Sequence, residues 1–203
     1  MIPVVADADT LFGGTTRGLL IHLDHQGAIR LHWSPLILDE LCRALVETGR
    51  KPNTAAARLH EQLMQAALPH ADIPARKVQA HFAAVAPAMR SAKDMHIAAC
   101  AQAILVGRYY PNEPLVHVVT KNVRDFGVRK LGDLGIKVTH PDAFLLSLFA
   151  QAPVAVATAF ESLRHTLRSA PAPEKLLATL AADGQVQTAA ALLNALQQRA
   201  VRP

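Results

Sequence analysis

Acidic side chains placed just past β-type runs are the feature of this sequence most able to do chemistry. Asp7 and Asp9 directly follow Ile2-Pro3-Val4-Val5-Ala6. The β-branched residues of that run read as a buried strand. In an open α/β sheet, the C-terminal edge of the strands is where loops part to form a ligand crevice. Unpaired carboxylates there are costly, so the pair points to a bound cation or to phosphate handling. Three more acids stand in comparable places. Glu40 lies mid-helix among Leu36, Ile37, Leu41 and Cys42, and Asp94 lies in the first turn of an apolar helix, in Lys93-Asp94-Met95-His96. Asp125 follows a strand ending at Thr120, in Thr120-Lys121-Asn122-Val123-Arg124-Asp125-Phe126. Each has a plain structural reading: a half-exposed helix face for Asp39-Glu40, a capping box with Ser91 for Asp94, and a turn cap for Asp125. Taken together, they approach one sheet edge.

The elements that must position these acids alternate between strand and helix. Thr15 or Thr16 can N-cap a helix to about Gln26, with Gly27 placed to end it. Ile29, Leu31 and Trp33 alternate as a short strand. Ser34-Pro35 opens a helix that stops at Gly49, and Asn53 opens another reaching Ala67. Residues 70–90 read as a helix followed by an irregular or short strand segment. Ser91 caps a helix over residues 92–106, closed by Gly107. Leu115–Val119 and Ile136–Thr139 are further strands. The order predicts an α/β fold with a parallel sheet between helical layers. After His140-Pro141 the sequence predicts four helices and no strand, broken near Pro153, Pro171-Ala172-Pro173 and Gly184.

Composition narrows the class. The chain has 203 residues, 51% of them hydrophobic and 18% charged, which describes a globular protein with a sizeable core. A net charge of +5 is compatible with a nucleic-acid partner. Cys42 and Cys100 show no metal spacing and read as reduced, buried thiols. The opening run, interrupted by acids, is no signal peptide, and no apolar run reaches membrane-spanning length. The expected location is cytoplasmic.

The residues resemble the PIN-domain ribonucleases, and more narrowly the VapC-like toxins of type II toxin–antitoxin pairs. The resemblance rests on Asp7-Ala8-Asp9-Thr10-Leu11, on Trp33-Ser34 with Ile37-Leu38-Asp39-Glu40, and on Lys93-Asp94-Met95-His96-Ile97-Ala98-Ala99. It continues through Thr120–Phe126, the most specific match, to Thr139-His140-Pro141-Asp142-Ala143-Phe144. It implies a three-layer PIN-like domain over residues 1–145, and the helical extension at 146–203 is like that of a subset of such toxins. It further implies that Asp7, Glu40, Asp94 and Asp125 hold one or two Mg²⁺ or Mn²⁺ ions for metal-dependent endoribonuclease chemistry. Hard oxygen ligands suit those ions, which would also relieve the repulsion among four carboxylates. Thr10, Thr120 and Asn122 are placed to position water or phosphate. Arg17, Lys93, Lys121 and Arg124 are placed to touch RNA phosphates, with Arg90, Arg129 and Lys130 nearby. Implied partners are RNA, a cognate antitoxin protein and a second copy of the chain. Asp9 departs from the family, which usually has Asn there.

Two other readings stand beside this one. Asp7-Ala8-Asp9-Thr10-Leu11 also approximates the opening of haloacid-dehalogenase-like phosphatases, whose first Asp attacks phosphate. Leu11 breaks that pattern, and only Gly132-Asp133 approaches its later acidic pair. The third reading is a non-catalytic PIN-like scaffold that binds RNA or a partner. In the tail, Leu145, Leu146, Leu148, Phe149, Val154, Val156, Phe160, Leu163 and Leu167 form apolar faces, as do Leu176, Leu177, Leu180, Leu192, Leu193 and Leu196. The 142–168 helices are expected to pack on the sheet domain, and the 174–200 helices to lie further out, available to a partner.

Overall fold

The computed structural model describes residues 1–201, with side chains to residue 198. Four strands form the sheet: β1 (Ile2–Ala6), β2 (Ile29–His32), β3 (Val116–Val119) and β4 (Ile136–Thr139), in the order β2-β1-β3-β4. β1 pairs in parallel with β3, Val5 opposite Val118, and β3 in parallel with β4, Val118 opposite Val138. Val4, Val5 and Ala6 are all fully buried. Successive strand residues face opposite sides, so both faces of β1 are dry, which accounts for its unbroken apolar run.

By Cα packing the chain forms two compact units. The first, the sheet unit, comprises Met1–Phe12 and Arg30–Thr139. In it α1 (Ala8–Phe12) packs on α3 (Pro35–Glu47), and α3 packs on α4 (Thr54–Ala67). Asn53 caps α4 by accepting from Ala56 N–H at 2.9 Å, as its sequence position predicts. α7 (Met95–Val106) lies against β1, β3 and β4. Ile97, Ala98, Ala99, Cys100 and Ala101 of α7 are fully buried, so the helix is apolar all round for most of its length.

Two local expectations are corrected here. α7 starts at Met95 and not at Ala92; Ser91 Oγ accepts from Lys93 N–H at 3.3 Å, and Asp94 holds the N-cap position without a side-chain cap bond. Ser and Asp bind nearby backbone in turns as readily as in helices, which is why Ser91 misleads as a helix start. Residues 70–90 hold α5 (Ala75–Gln79), α6 (Phe82–Val85) and a 3₁₀ turn (Ala86–Ala88). Met89 then forms an antiparallel bridge to Phe126, just before α8 (Val128–Asp133).

The helical unit comprises Gly13–Ile29 and, among the described residues, 140–201. It therefore includes α2 (Gly14–His25) as well as α9 (Pro141–Gln151), α10 (Pro153–Thr166), α11 (Pro173–Ala182) and α12 (Val186–Val201). A boundary at 145/146 falls inside α9. Gly27 follows the Gln26 C-cap of α2, and its φ of +70° is open to glycine at no steric cost. α10 packs on α2 and α9, α12 on α9 and α11, and α11 also touches α2.

The last helices are not peripheral in this unit. Leu176, Leu177, Leu180 and Leu192 are at most 4% exposed, so they form its core. Two carboxylates far apart in sequence lock the arrangement. Asp183 Oδ2 accepts from Thr15 N–H at 2.9 Å and Thr16 N–H at 3.1 Å, capping the first turn of α2. Asp142 accepts from Gln187 N–H and Thr188 N–H, both at 2.9 Å, and from Thr188 Oγ1 at 2.7 Å, capping α12. These donors have no partner within their own helices, and each Asp supplies one across the unit. Among the described residues no single helix is long and apolar enough to cross a membrane.

Candidate active site

The strand-to-helix transition at Asp7 builds the centre of the site. The Asp7 carbonyl accepts from Thr10 N–H and Leu11 N–H, starting α1, while Asp7 N–H donates to the Val119 carbonyl of β3. Asp7 is 3% exposed. Its Oδ1 accepts from Ala8 N–H at 2.6 Å, and its Oδ2 from Thr120 Oγ1 at 2.6 Å. Thr120 Oγ1 in turn accepts from Asn122 N–H at 3.1 Å, so it fixes both Asp7 and the turn after β3. Thr10 Oγ1 donates to the Val119 carbonyl at 3.0 Å and lies 3.1 Å from Asp9 Oδ1.

Asp9 fastens the same edge from the other side. Its carboxylate accepts from Lys121 N–H at 3.2–3.3 Å, linking the end of β1 to the end of β3. Asn122 N-caps a 3₁₀ turn over Val123–Asp125, and its carbonyl accepts from Asp125 N–H at 2.9 Å. The Asp125 carbonyl then accepts from Arg90 N–H at 2.9 Å and Ser91 N–H at 3.2 Å, and Gly127 N–H donates to the Ala88 carbonyl at 2.7 Å. A Cβ on Gly127 would stand 2.5 Å from that carbonyl oxygen, so only glycine permits this approach. Through this pairing Asp125 is held against the segment that leads to Asp94.

Glu40 is the acid common to the surroundings of Asp7 and Asp94. Burial first, then the neighbouring charges of Asp9 and Glu40, push the Asp7 carboxyl up to about 7, against the opposing bonds from Thr120 and Ala8. Burial likewise holds Asp94 above the ordinary carboxylate range, and Asp125 and Glu40 add to it while Ser91 opposes. Asp9 is raised by burial, with Lys121 and Thr10 pulling the other way. Glu40 is held low by His96, whose Nε2 lies 3.3 Å from Glu40 Oε2. Burial alone would lower His96, but Glu40 and the Lys93 carbonyl, 2.8 Å from its Nδ1, leave it raised. With Nδ1–H directed at a carbonyl, Nε2 faces a carboxylate favourably only as the imidazolium.

His96 is the member of this group that the sequence reading passed over. Its spacing from Asp94 put it on the same turn at the mouth of α7, the one signal available. Glu40 thus acts on both Asp7 and Asp94, Asp125 acts on Asp94, and Asp9 and His96 belong with them. The hard oxygen donors are of the type Mg²⁺ and Mn²⁺ take. As the side chains stand, no three His, Cys, Asp or Glu residues among those described are close enough to ligate one ion. Glu40 is turned to His96, and both Asp7 oxygens are engaged by Ala8 and Thr120. Lys93, Lys121 and Arg124 are exposed in the sheet unit, whereas Arg17 lies on α2 of the helical unit.

Two grooves adjoin these residues. One of about 620 Å³ is lined by Glu40, Arg43, Glu47, Lys93 and His96 with Leu36, Phe82 and Met95. The other, of about 690 Å³, runs beside Val123–Lys130.

No curated protein and no solved structure matches the chain. A family model described as the VapC50 C-terminal domain matches residues 141–194, a stretch that runs from the start of α9 into α12.

Proposed function

We propose that this chain is a metal-dependent endoribonuclease, the toxin of a VapBC-like toxin–antitoxin pair, acting in the cytoplasm on RNA and held in check by a cognate antitoxin. The observation that carries the reading is the placement of Asp7 and Asp125 after the ends of β1 and β3, with the Asp125 carbonyl bonded to the Arg90–Ser91 segment that leads to Asp94 and with Glu40 acting on both Asp7 and Asp94. The likeness of residues 141–194 to the VapC50 C-terminal domain supports the narrower assignment to VapC-like toxins. The dry faces of β1 support the three-layer PIN-like form of the sheet unit.

In this reading Asp7, Glu40, Asp94 and Asp125 hold Mg²⁺ or Mn²⁺, which when bound would activate water and neutralise charge on the scissile phosphate. The chain's own residues do the rest. Thr120 keeps Asp7 oriented, Asp9 ties the two strand ends, and His96 holds Glu40 in place. Thr10 and Asn122 stand beside the same edge, where hydroxyl and amide groups can order water. The haloacid-dehalogenase alternative needs Asp7 as an attacking nucleophile and a later acidic pair, and Leu11 and the lone Gly132-Asp133 do not meet that pattern.

The test is cleavage of single-stranded RNA by the full chain with Mg²⁺ or Mn²⁺, compared with a chelated control and with Asp94→Asn. Cleavage that needs the ion and is abolished by Asp94→Asn is expected. An Asp94→Asn protein as fast as the parent would sink the proposal. Turnover of a phosphomonoester through a phosphoryl-Asp7 intermediate would favour the phosphatase instead.

A further inference from the structure

We infer that the groove between Pro87–Arg90 and Val123–Lys130 is a backbone subsite for single-stranded RNA. The flanking strand would leave the acidic site on its Asp125 side and not along the Glu40 groove. The inference rests on the ribonuclease reading and adds to it a location and a direction.

Four cations rim this groove of about 690 Å³: Arg90, Arg124, Arg129 and Lys130, all exposed. No acid lines it. Among the described residues none of the four is paired with a carboxylate. Arg90 Nη1 donates only to the Arg124 carbonyl at 3.4 Å, and Lys130 Nζ to the Pro87 carbonyl at 2.9 Å. Four positive charges around one concavity repel one another unless an anion lies between them. A single small anion is a poor match, because Arg90, Arg124 and the Arg129-Lys130 pair of α8 stand on three segments and none is buried. A chain of phosphates meets all four. The walls between the cations are apolar, with Met89, Val123 and Val128, and give bases a dry surface.

The groove is also joined to the acids through the backbone. The Met89–Phe126 bridge forms part of it, and the same pairing carries the hydrogen bonds from Arg90 and Ser91 to the Asp125 carbonyl. Arg124 is the residue next to Asp125, so a strand lying in the groove is led to the acidic edge. The groove beside Glu40 differs in charge. Glu40 and Glu47 there offset two of the three cations Arg43, Lys93 and His96, with His96 turned to Glu40, so a phosphate chain meets two carboxylates and a smaller net positive charge.

The experiment measures binding without turnover. The full-length Asp7→Asn protein is titrated against a fluorescein-labelled single-stranded RNA of mixed sequence over a range of KCl concentrations, and the pair Arg124→Ala/Arg129→Ala is then added to it. Losing two phosphate contacts should weaken binding about tenfold at moderate salt. The log–log salt slope should flatten by about 1.4, at about 0.7 per contact on single strands. Arg43→Ala, in the other groove, should change neither quantity.

An unchanged affinity and slope in the double variant would overturn the subsite, as would an Arg43→Ala effect as large as that of the double variant. Tight binding of poly-glutamate in place of RNA would also overturn it, in favour of an acidic protein partner. Failure of the subsite is separable from failure of the enzyme reading. If the parent cuts RNA but the double variant binds normally, the groove assignment falls alone. If the parent binds through the two arginines yet never cuts with Mg²⁺ or Mn²⁺, the nuclease falls and the groove stands.

Discussion

Asp7 shows at the scale of one residue how a site charges the fold for its chemistry. Its carboxyl titrates near 7 in the folded chain, because burial and the charges of Asp9 and Glu40 disfavour ionisation, against about 3.9 in an unfolded one. Between those values the native state binds more protons than the unfolded state, so the Asp7 contribution to stability falls as pH rises through the window. Above about pH 7 the ionised group is a net cost. Asp7→Asn removes that cost while keeping the acceptor for Ala8 N–H, and should stabilise the protein by about 1–3 kcal/mol at pH 8 and by little at pH 4. His117, lowered to about 4 by burial and by Lys137, tilts the parent curve the opposite way. The decisive quantity is therefore the difference between variant and parent in denaturant melts at several pH values. A difference that does not grow from pH 4 to pH 8 would show that Asp7 is ionised without strain.

At the scale of elements, the two aspartate caps hold the helical unit. Asp183→Ala leaves the N–H groups of Thr15 and Thr16 without their acceptor at the start of α2, and should cost about 1–2 kcal/mol. Asp142→Ala removes three hydrogen bonds at the start of α12 from a group only 8% exposed, and should cost more, about 2–3 kcal/mol. Thermal melts followed by circular dichroism, with Asp133→Ala on α8 as a surface comparison, check both values. Equal midpoints for Asp183→Ala and the parent would mean that water caps α2 as well as the carboxylate does. Neither cap is visible as a motif, because the helix start and its acceptor are 168 and 45 residues apart.

At the scale of the whole molecule, the crossing of the chain between units decides what a truncation does. Ending the chain at Ala170 removes residues 171–203. It deletes α11 and α12, removes Asp183, and uncovers the faces of α2 and α9 that those helices cover. The expected product is insoluble or has lost the helicity of the entire helical unit, and not merely the deleted share. Solubility on expression and the far-ultraviolet spectrum test this. A soluble product with α2, α9 and α10 intact would show that the first three helices form a core by themselves.

The sequence alone determined the features that depend on local chemistry. Strand and helix order, the stop at Gly27, the Asn53 cap, the breaks at Pro153 and Gly184 and the places of Asp7, Asp94 and Asp125 at strand ends and a helix mouth, with Glu40 mid-helix, follow from propensity, periodicity and turn chemistry within a few residues. Tertiary structure decided what depends on contacts between distant segments. The pairing of residues 88–91 with 125–127 holds Asp125 near Asp94, and no spacing encodes it. The choice of Glu40 by His96, the caps from Asp142 and Asp183, and the passage of α2 into the helical unit are of the same kind. Hydrophobic burial is non-directional. An apolar helix face records that it must be covered, and the folded chain alone selects by what.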